Sequence, residues 1–163
     1  MLEQFDDTER GLVGYVWTDV ENIHLCIREW RKVWGDERPF RELAMQPDDQ
    51  HAFNCLPETI PVRRGIASPR GKNGMSWTAR RDTAIWFAHH SVRRARGDDP
   101  HLVSGQVSKH QVRAYFTERS ESEIVVIPDK VRKVTMVALP AMTDEELNKL
   151  RPDDTRHQAI GWQ

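Results

Sequence analysis

Four short runs of β-branched and aromatic residues in the second half of the chain restrict its fold more than any other feature. Polar turns separate these runs, which cover residues 103–107, 112–116, 124–127 and 134–139. Runs of this length and composition are typical of strands. A further short strand is predicted at residues 61–66. The second half of the chain therefore predicts a mostly antiparallel sheet.

The first third of the chain has the pattern of helices instead. Thr18 and Glu21 have the spacing of a capping box, in which the two residues satisfy backbone N–H groups at a helix start. Apolar residues then recur at three- and four-residue spacing until Gly35, which predicts the helix end. We interpret Trp30 and Trp34 within this stretch as core residues.

Three further helices are predicted. A weak one covers residues 41–45, and one follows Thr78, whose hydroxyl is placed to cap it. The third opens at Thr143 with a second capping box and ends before Pro152.

Helices followed by antiparallel strands predict an α+β fold. The chain lacks the regular strand–helix alternation of a doubly wound fold, and it contains no GxGxxG or Walker lysine motif. We predict one domain over residues 1–163. Its parts are a helical N-terminal section (1–58), a β-rich core (60–140) and a short helix with a tail (143–163).

Composition limits the partners of this domain. The 163 residues carry a net charge of −1 and 38% hydrophobic residues, which gives no general attraction to nucleic acid or anionic lipid. No apolar run has the length of a membrane span, and runs such as 123–128 and 134–140 fit buried strands. The acidic start lacks a signal-peptide pattern, so we expect a cytoplasmic protein without a membrane partner. Cys26 and Cys55 are interpreted as buried thiols.

Basic residues concentrate between Arg80 and Arg96. This stretch is either a solvated helix face or a patch that binds phosphates of NAD or nucleic acid. The histidines of the chain, including His89 and His90, do not have the spacing of metal ligands, and no metal site is predicted.

Two acidic residues, Glu121 and Glu123, lie at the start of a very apolar strand. Residues two apart in a strand point to the same face, so both carboxylates would address one site. Such a pair is either catalytic or a solvated end of a loop. A carboxylate at the edge of an apolar sheet is costly unless it is paired or used.

Two other segments contain candidate site residues. Arg64 and Gly65 end a strand, where an arginine suits phosphate or ribose recognition or forms a surface salt bridge, and a glycine allows backbone or ligand to approach closely. Ser76, Trp77 and Thr78 precede a helix. Trp77 fits the core and Thr78 fits a cap, whereas Ser76 has no evident structural duty.

The order of these segments resembles the arginine–serine–glutamate class of ADP-ribosyltransferases. That order is a strand ending in Arg-Gly, a Ser-x-Thr before a helix, and a Glu-x-Glu leading a Val/Ile-rich strand, and it covers residues 62–128. The resemblance implies a split antiparallel β-sandwich with N-terminal helices. It also implies that NAD is the substrate, with no metal, and that ADP-ribose is transferred to an acceptor.

The resemblance assigns a role to each residue. Arg64 would hold the NAD phosphates and the nicotinamide-side ribose, and Ser76 would orient the catalytic Glu123, which hydrogen-bonds the ribose. Glu121 takes the first position of the pair, which in this class goes with arginine modification. Gly65, Trp77 and Thr78 would lie nearby, and Trp77 either lines the nicotinamide pocket or belongs to the core.

The chain also departs from the family pattern. Arg63 replaces an aromatic residue before the strand arginine, the triplet is Ser-Trp-Thr, and Glu118 replaces an aromatic residue before the glutamate pair. The last change concerns the loop that meets the acceptor. A protein arginine is the favoured acceptor, as in toxins, defence factors or phage-encoded modifiers, and RNA or DNA is the alternative. NAD hydrolysis and an idle domain that binds an NAD-like ligand or a protein partner are further alternatives.

Overall fold

The computed structural model describes residues 7–20, 23–35, 41–95, 99–117 and 121–152. Six strands form one sheet in the order β4-β5-β2-β1-β3-β6, and every neighbouring pair is antiparallel. The strands are β1 (Thr59–Ile66), β2 (Ser76–Thr78), β3 (His101–Ser108), β4 (Val112–Phe116), β5 (Glu123–Val126) and β6 (Arg132–Ala138). The predicted α+β class with a mostly antiparallel sheet is confirmed.

The sheet consists of two three-stranded halves that meet at a single residue pair. Strands β1 and β3 pair along their whole length, from Thr59 opposite Ser108 to Ile66 opposite His101, and β6 extends this half. Strands β2, β5 and β4 form the other half. The pair that joins β1 to β2 is Arg63 opposite Thr78. The candidate segments around Arg64 and Ser76 therefore lie on either side of this junction.

The described part of the chain contains six α-helices. They are α1 (Asp7–Asp19), α2 (Ile27–Gly35), α3 (Arg41–Ala44), α4 (Pro47–Asn54), α5 (Arg81–Ala95) and α6 (Asp144–Leu150). The predicted end at Gly35 is confirmed, and so is the capping box of α6, in which Thr143 and Glu146 bond each other's backbone N–H groups. None of these helices has the length and apolar character needed to cross a lipid bilayer.

The predicted capping box at Thr18 is wrong. Thr18 lies in the last turn of α1, and its hydroxyl donates to the carbonyl of Tyr15 (3.0 Å), a local bond that competes with capping. A 3₁₀ turn at Ile23–Cys26 leads into α2. The second residue of the box, Glu21, lies outside the described residues.

One core unites the N-terminal helices with the sheet. Trp17 of α1 and Trp34 of α2 are buried in the same cluster as the strand residues Val62, Val103 and Val125. The ring of Trp17 makes edge-to-face contacts with Trp34 and with the half-buried Trp30. The prediction that Trp30 and Trp34 pack in the core is confirmed, since Trp34 is buried and Trp30 packs against the cluster.

Two predictions of burial are wrong. All seven residues of the edge strand β6 are exposed, whereas the edge strand at the other side of the sheet, β4, is mostly buried. Cys26 and Cys55 are also exposed. Helix α4 buries Asp49 and Phe53, four residues apart, so Cys55, just after the helix, faces away from that buried side.

Candidate active site

The carboxylate of Glu123 accepts two hydrogen bonds on one oxygen. Glu123 begins β5, opposite Thr78 of β2. Its Oε1 accepts from the hydroxyl of Ser76 (2.5 Å) and from the indole Nε1–H of Trp17 (3.0 Å). These donors come from β2 and from α1. Two elements of the fold thus fix the orientation of this carboxylate.

Arg64 lies beside this carboxylate on β1. Its Nη1 donates to the carbonyl of Ser76 (2.5 Å) and its Nε to the carbonyl of Gly71 (3.1 Å). Burial lowers the pKa of Arg64 to about 10, and the negative charge of Glu123 acts in the opposite direction. The guanidinium is therefore still cationic at pH 7.

Two glycines make room for this arrangement. A Cβ on Gly74 would lie 2.1 Å from Cζ of Arg64, so the guanidinium occupies space that any larger residue would fill. A Cβ on Gly65 would lie 1.9 Å from the carbonyl oxygen of Ala84 in α5. Gly65 was expected to allow the close approach of either backbone or a ligand. In the structure, the backbone of α5 makes this close approach.

The strand β2 divides its three residues between two faces. Alternation puts Ser76 and Thr78 on one face, and Trp77 is buried on the other with its indole N–H donating to the carbonyl of Gly74 (2.9 Å). The interpretation of Trp77 as a core residue is confirmed. The predicted cap is wrong, because Thr78 ends a strand and α5 begins only at Arg81.

The hydroxyl of Thr78 instead connects β2 to the backbone just before β5. It donates to the carbonyl of Glu121 (2.6 Å) and accepts from the backbone N–H of Arg80 (3.0 Å). Thr78 is buried, so these bonds replace water for both backbone groups. The position of Glu121 therefore depends on this threonine.

Glu121 and Glu123 line the same cleft, but for a reason other than the one predicted. Glu121 precedes β5, and Ser122 between them has a φ of +49°, in the left-handed region. Strand alternation therefore does not apply to the pair. A turn in the backbone at Ser122 directs the chain so that both residues border the cleft.

The cleft consists of two adjoining cavities, of about 170 and 400 Å³. The larger one lies within the range of about 300–1,000 Å³ that is typical of ligand sites. Residues that border both cavities are Arg64, Ser76, Phe87, Glu121 and Glu123. The smaller cavity is bordered by all seven residues predicted from the sequence, which are Arg64, Gly65, Ser76, Trp77, Thr78, Glu121 and Glu123.

Searches against protein-family models, curated proteins and solved structures found no match. The site is therefore interpreted from its own geometry. Within the described parts of the chain, no group of three histidine, cysteine or acidic residues has an arrangement that could hold a metal ion.

Several residues of the cleft were missed at the level of sequence. Trp17 lies 106 positions from Glu123 and belongs to no motif, so no local signal identifies it. Trp86, His90 and Arg94 also border the larger cavity. Their four-residue spacing on α5 places them on one helix face. His90 and Arg94 lie in the stretch predicted as either a solvated helix face or a phosphate-binding patch, whereas Trp86 was not identified.

Replacing Thr78 with valine is expected to lower the free energy of unfolding by about 1–3 kcal/mol. Valine has nearly the same shape, but it leaves the carbonyl of Glu121 and the N–H of Arg80 without the partner that the hydroxyl supplies. Urea unfolding measures the change.

The matched control is Thr59→Val, because Thr59 is exposed on β1. This control is expected to change stability by less than about 0.5 kcal/mol. Equal stability of Thr78→Val and the wild type would show that the threonine hydroxyl does not hold the two segments together.

Proposed function

We propose that this protein is a mono-ADP-ribosyltransferase, which cleaves NAD at the nicotinamide–ribose bond and transfers ADP-ribose to an acceptor, with a protein arginine as the favoured one. The observation that carries the proposal is the carboxylate of Glu123. It is oriented by Ser76 and Trp17 in a cleft, beside the cationic Arg64.

The proposed role of Glu123 follows from the charge of the transition state. When the nicotinamide–ribose bond breaks, positive charge develops on the ribose as an oxocarbenium-like ion. A carboxylate fixed against that ribose stabilises the charge as it forms, which lowers the barrier more than it strengthens substrate binding. The hydrogen bonds from Ser76 and Trp17 hold Glu123 in place, so little reorganisation is needed during the reaction.

Arg64 is suited to hold the diphosphate of NAD. A guanidinium has five N–H donors, and the bonds to the carbonyls of Gly71 and Ser76 use two of them. These bonds fix the plane of the guanidinium beside Glu123. A cation held in this way would place the phosphates next to the reacting ribose.

The smaller cavity has the size of a single ring. Its volume of about 170 Å³ is close to the roughly 150 Å³ of an apolar cavity that holds benzene. Phe87 contributes an apolar side chain to its lining, and Thr78 and Ser91 contribute side chains with hydroxyl groups. We assign the nicotinamide ring to this cavity.

Glu121 is the candidate for the acceptor step. It borders the cleft beside Glu123, so an incoming guanidinium could bind between two carboxylates. In this proposal Glu121 orients the acceptor and removes a proton as its nitrogen attacks the ribose carbon. Glu123 keeps its negative charge throughout.

The shape of the sheet also favours the proposal. Its two halves meet at the single pair Arg63–Thr78. Such a division fits the split β-sandwich of the family that the sequence resembles, with the N-terminal helices packed on it. The candidate residues lie where the halves meet.

The direct test is to incubate the protein with NAD labelled in its adenylate phosphate. Nicotinamide release and label transfer are followed with agmatine as an arginine mimic and with RNA as the alternative acceptor. Release with labelled agmatine supports the favoured acceptor, and labelled RNA would assign a nucleic acid instead. Release without a labelled acceptor would indicate an NAD glycohydrolase. NAD binding without release, also in the presence of cell lysate, would overturn the proposal in favour of an idle domain.

Glu121→Gln separates the cleavage of NAD from the transfer of ADP-ribose to the acceptor. This variant is expected to lower transfer to agmatine by at least about tenfold while it changes nicotinamide release without acceptor by less than about threefold. The reason is that Glu121 acts on the acceptor in this proposal. An equal loss of both activities would place Glu121 in the cleavage step.

Trp17→Phe tests the contribution of the N-terminal section. Phenylalanine keeps an aromatic ring in the core but removes the N–H that donates to Glu123. We expect kcat to fall about tenfold with a smaller change in KM. A hydrogen bond to a charged group contributes about 1.5 kcal/mol, and its loss corresponds to a change of this size. Steady-state kinetics of nicotinamide release measure both constants.

The control for this variant is Trp30→Phe, because Trp30 packs against the ring of Trp17 but lies outside the residues that line the cleft. It is expected to keep kcat within about twofold of the wild type. If the two variants have the same kcat, the effect of Trp17 comes from packing and not from its hydrogen bond.

A further inference from the structure

A stacked pair of rings on α5 borders the larger cavity. The indole of Trp86 and the imidazole of His90 lie with centroids 4.5 Å apart and planes inclined by 13°. Phe87 contacts Trp86 edge-to-face, with centroids 5.0 Å apart. The indole plane is thus held by two neighbouring rings. A flat, fixed aromatic surface in a cleft is suited to stack on a planar ligand.

A cation lies one helical turn further on the same face. Arg94 follows His90 by four residues, as His90 follows Trp86, and all three border the larger cavity. Burial lowers the pKa of His90, and the charges of Arg94, Arg93 and Arg151 lower it further. The imidazole therefore stacks on the indole as a neutral ring. The face therefore combines an aromatic surface, a neutral polar ring and a positive charge.

The N-terminal section contributes apolar side chains to the same cavity. Val20, Ile23 and Ile27 border it together with the aromatic pair. The pair and Arg94 do not border the smaller cavity, whereas Arg64 and Glu123 border both. The cleft thus has one end with the candidate reaction centre and another with aromatic and basic character.

We propose that Trp86, His90 and Arg94 form a binding subsite for the purine ring and phosphate of an adenylate. The inference rests on the proposed function, because NAD contributes the adenylate. The purine stacks on the indole face of Trp86 that His90 does not cover, His90 supports the indole from the opposite face, and Arg94 pairs with the adjoining phosphate. The diphosphate then runs towards Arg64, and the nicotinamide-side ribose reaches Glu123.

Binding of NAD fragments to the whole chain tests this assignment. The probes are ADP-ribose, AMP, adenosine and nicotinamide mononucleotide, and calorimetry measures each affinity. Trp86→Leu is expected to weaken ADP-ribose and AMP at least about tenfold, since loss of a base-stacking ring has an effect of this size. Nicotinamide mononucleotide, which lacks the purine, is expected to bind within about twofold of the wild type. Trp86→Phe keeps a stacking ring and is expected to restore AMP affinity to within about fivefold.

Arg94→Gln tests the phosphate contact separately. It is expected to weaken AMP at least about fivefold and adenosine less than twofold, because adenosine carries no phosphate. The matched control is Arg93→Gln, because Arg93 forms an ion pair with Asp144 of α6 and does not border the cleft. AMP is expected to bind this control within about twofold of the wild type.

The outcomes separate this inference from the proposed function. If ADP-ribose and AMP bind Trp86→Leu as tightly as the wild type, the subsite is overturned while the function stands. An equal loss of all probes, including nicotinamide mononucleotide, also overturns it, because the effect is then not specific to the adenylate. If the wild type binds neither ADP-ribose nor nicotinamide mononucleotide, the proposed function itself fails.

Discussion

Glu123→Gln is expected to reduce the rate of nicotinamide release at least about 10²-fold. Glutamine keeps the size of the side chain and can still accept hydrogen bonds from Ser76 and Trp17. It removes the negative charge that would stabilise the developing oxocarbenium ion. Single-turnover measurements at saturating NAD isolate this step, because substrate binding is then complete.

A matched control excludes a general effect of charge removal. Glu145 of α6 is exposed and forms an ion pair with Lys149 one turn along the same helix. Glu145→Gln removes the same charge outside the cleft and is expected to leave the rate within about twofold. If Glu123→Gln retains the rate of the wild type, Glu123 has no part in catalysis, whatever the acceptor.

Gly65→Ala is expected to lower the free energy of unfolding by about 3 kcal/mol. The added Cβ would lie 1.9 Å from the carbonyl oxygen of Ala84 and 2.4 Å from the backbone nitrogen of Ala88. Both are backbone atoms of α5, so no side chain can rotate away, and the helix must move off β1. Urea or thermal unfolding measures the loss.

Gly35→Ala is the control for this substitution. Apart from its chain neighbours and its own helix backbone, no atom of the described residues lies within 4 Å of a Cβ built on Gly35, at the end of α2. Its effect on the free energy of unfolding is expected to stay within about 1 kcal/mol. A loss at Gly65 no larger than at Gly35 would mean that α5 can retreat from the sheet at little cost. Such a retreat would also displace Phe87 and enlarge the cleft, which the affinity for NAD would report.

The sequence was informative wherever burial follows from local composition. The Val/Ile run of β5 is buried as predicted, with only Glu123 at its start half-buried. The same reasoning failed for β6, because an apolar run does not indicate whether other elements pack on the faces of that strand. Edge position does not decide this either, since the edge strand β4 is mostly buried and the edge strand β6 is exposed.

Short-range signals also failed where a tertiary contact outweighed them. Residues 76–78 were interpreted as the approach to a helix, but the backbone there pairs with β5 and becomes a strand of three residues. Thr18 has the spacing of a cap, yet α1 continues through it. In both cases long-range packing determined the backbone, and the local pattern was compatible with more than one outcome.

For the candidate site, the order of the motifs was more useful than any one of them. It predicted that Arg64, Ser76 and Glu123 would lie together, and the structure places them within one hydrogen-bonded group. It gave no sign of Trp17, because a buried tryptophan in a helix is normally only a core residue. Its second role depends on a partner that is 106 positions away along the chain.

The hydrogen bond of Trp17 bears on how this protein could be dissected. A cut between α4 and β1 keeps every motif residue but removes an indole that both fills the core and orients the carboxylate. The β-rich section alone would therefore expose apolar surface and leave Glu123 with one oriented donor fewer. Truncation experiments and chimaeras should treat the helices as part of the unit that forms the candidate site. Under the proposed function, substitutions that loosen α1 are expected to lower activity before they unfold the chain.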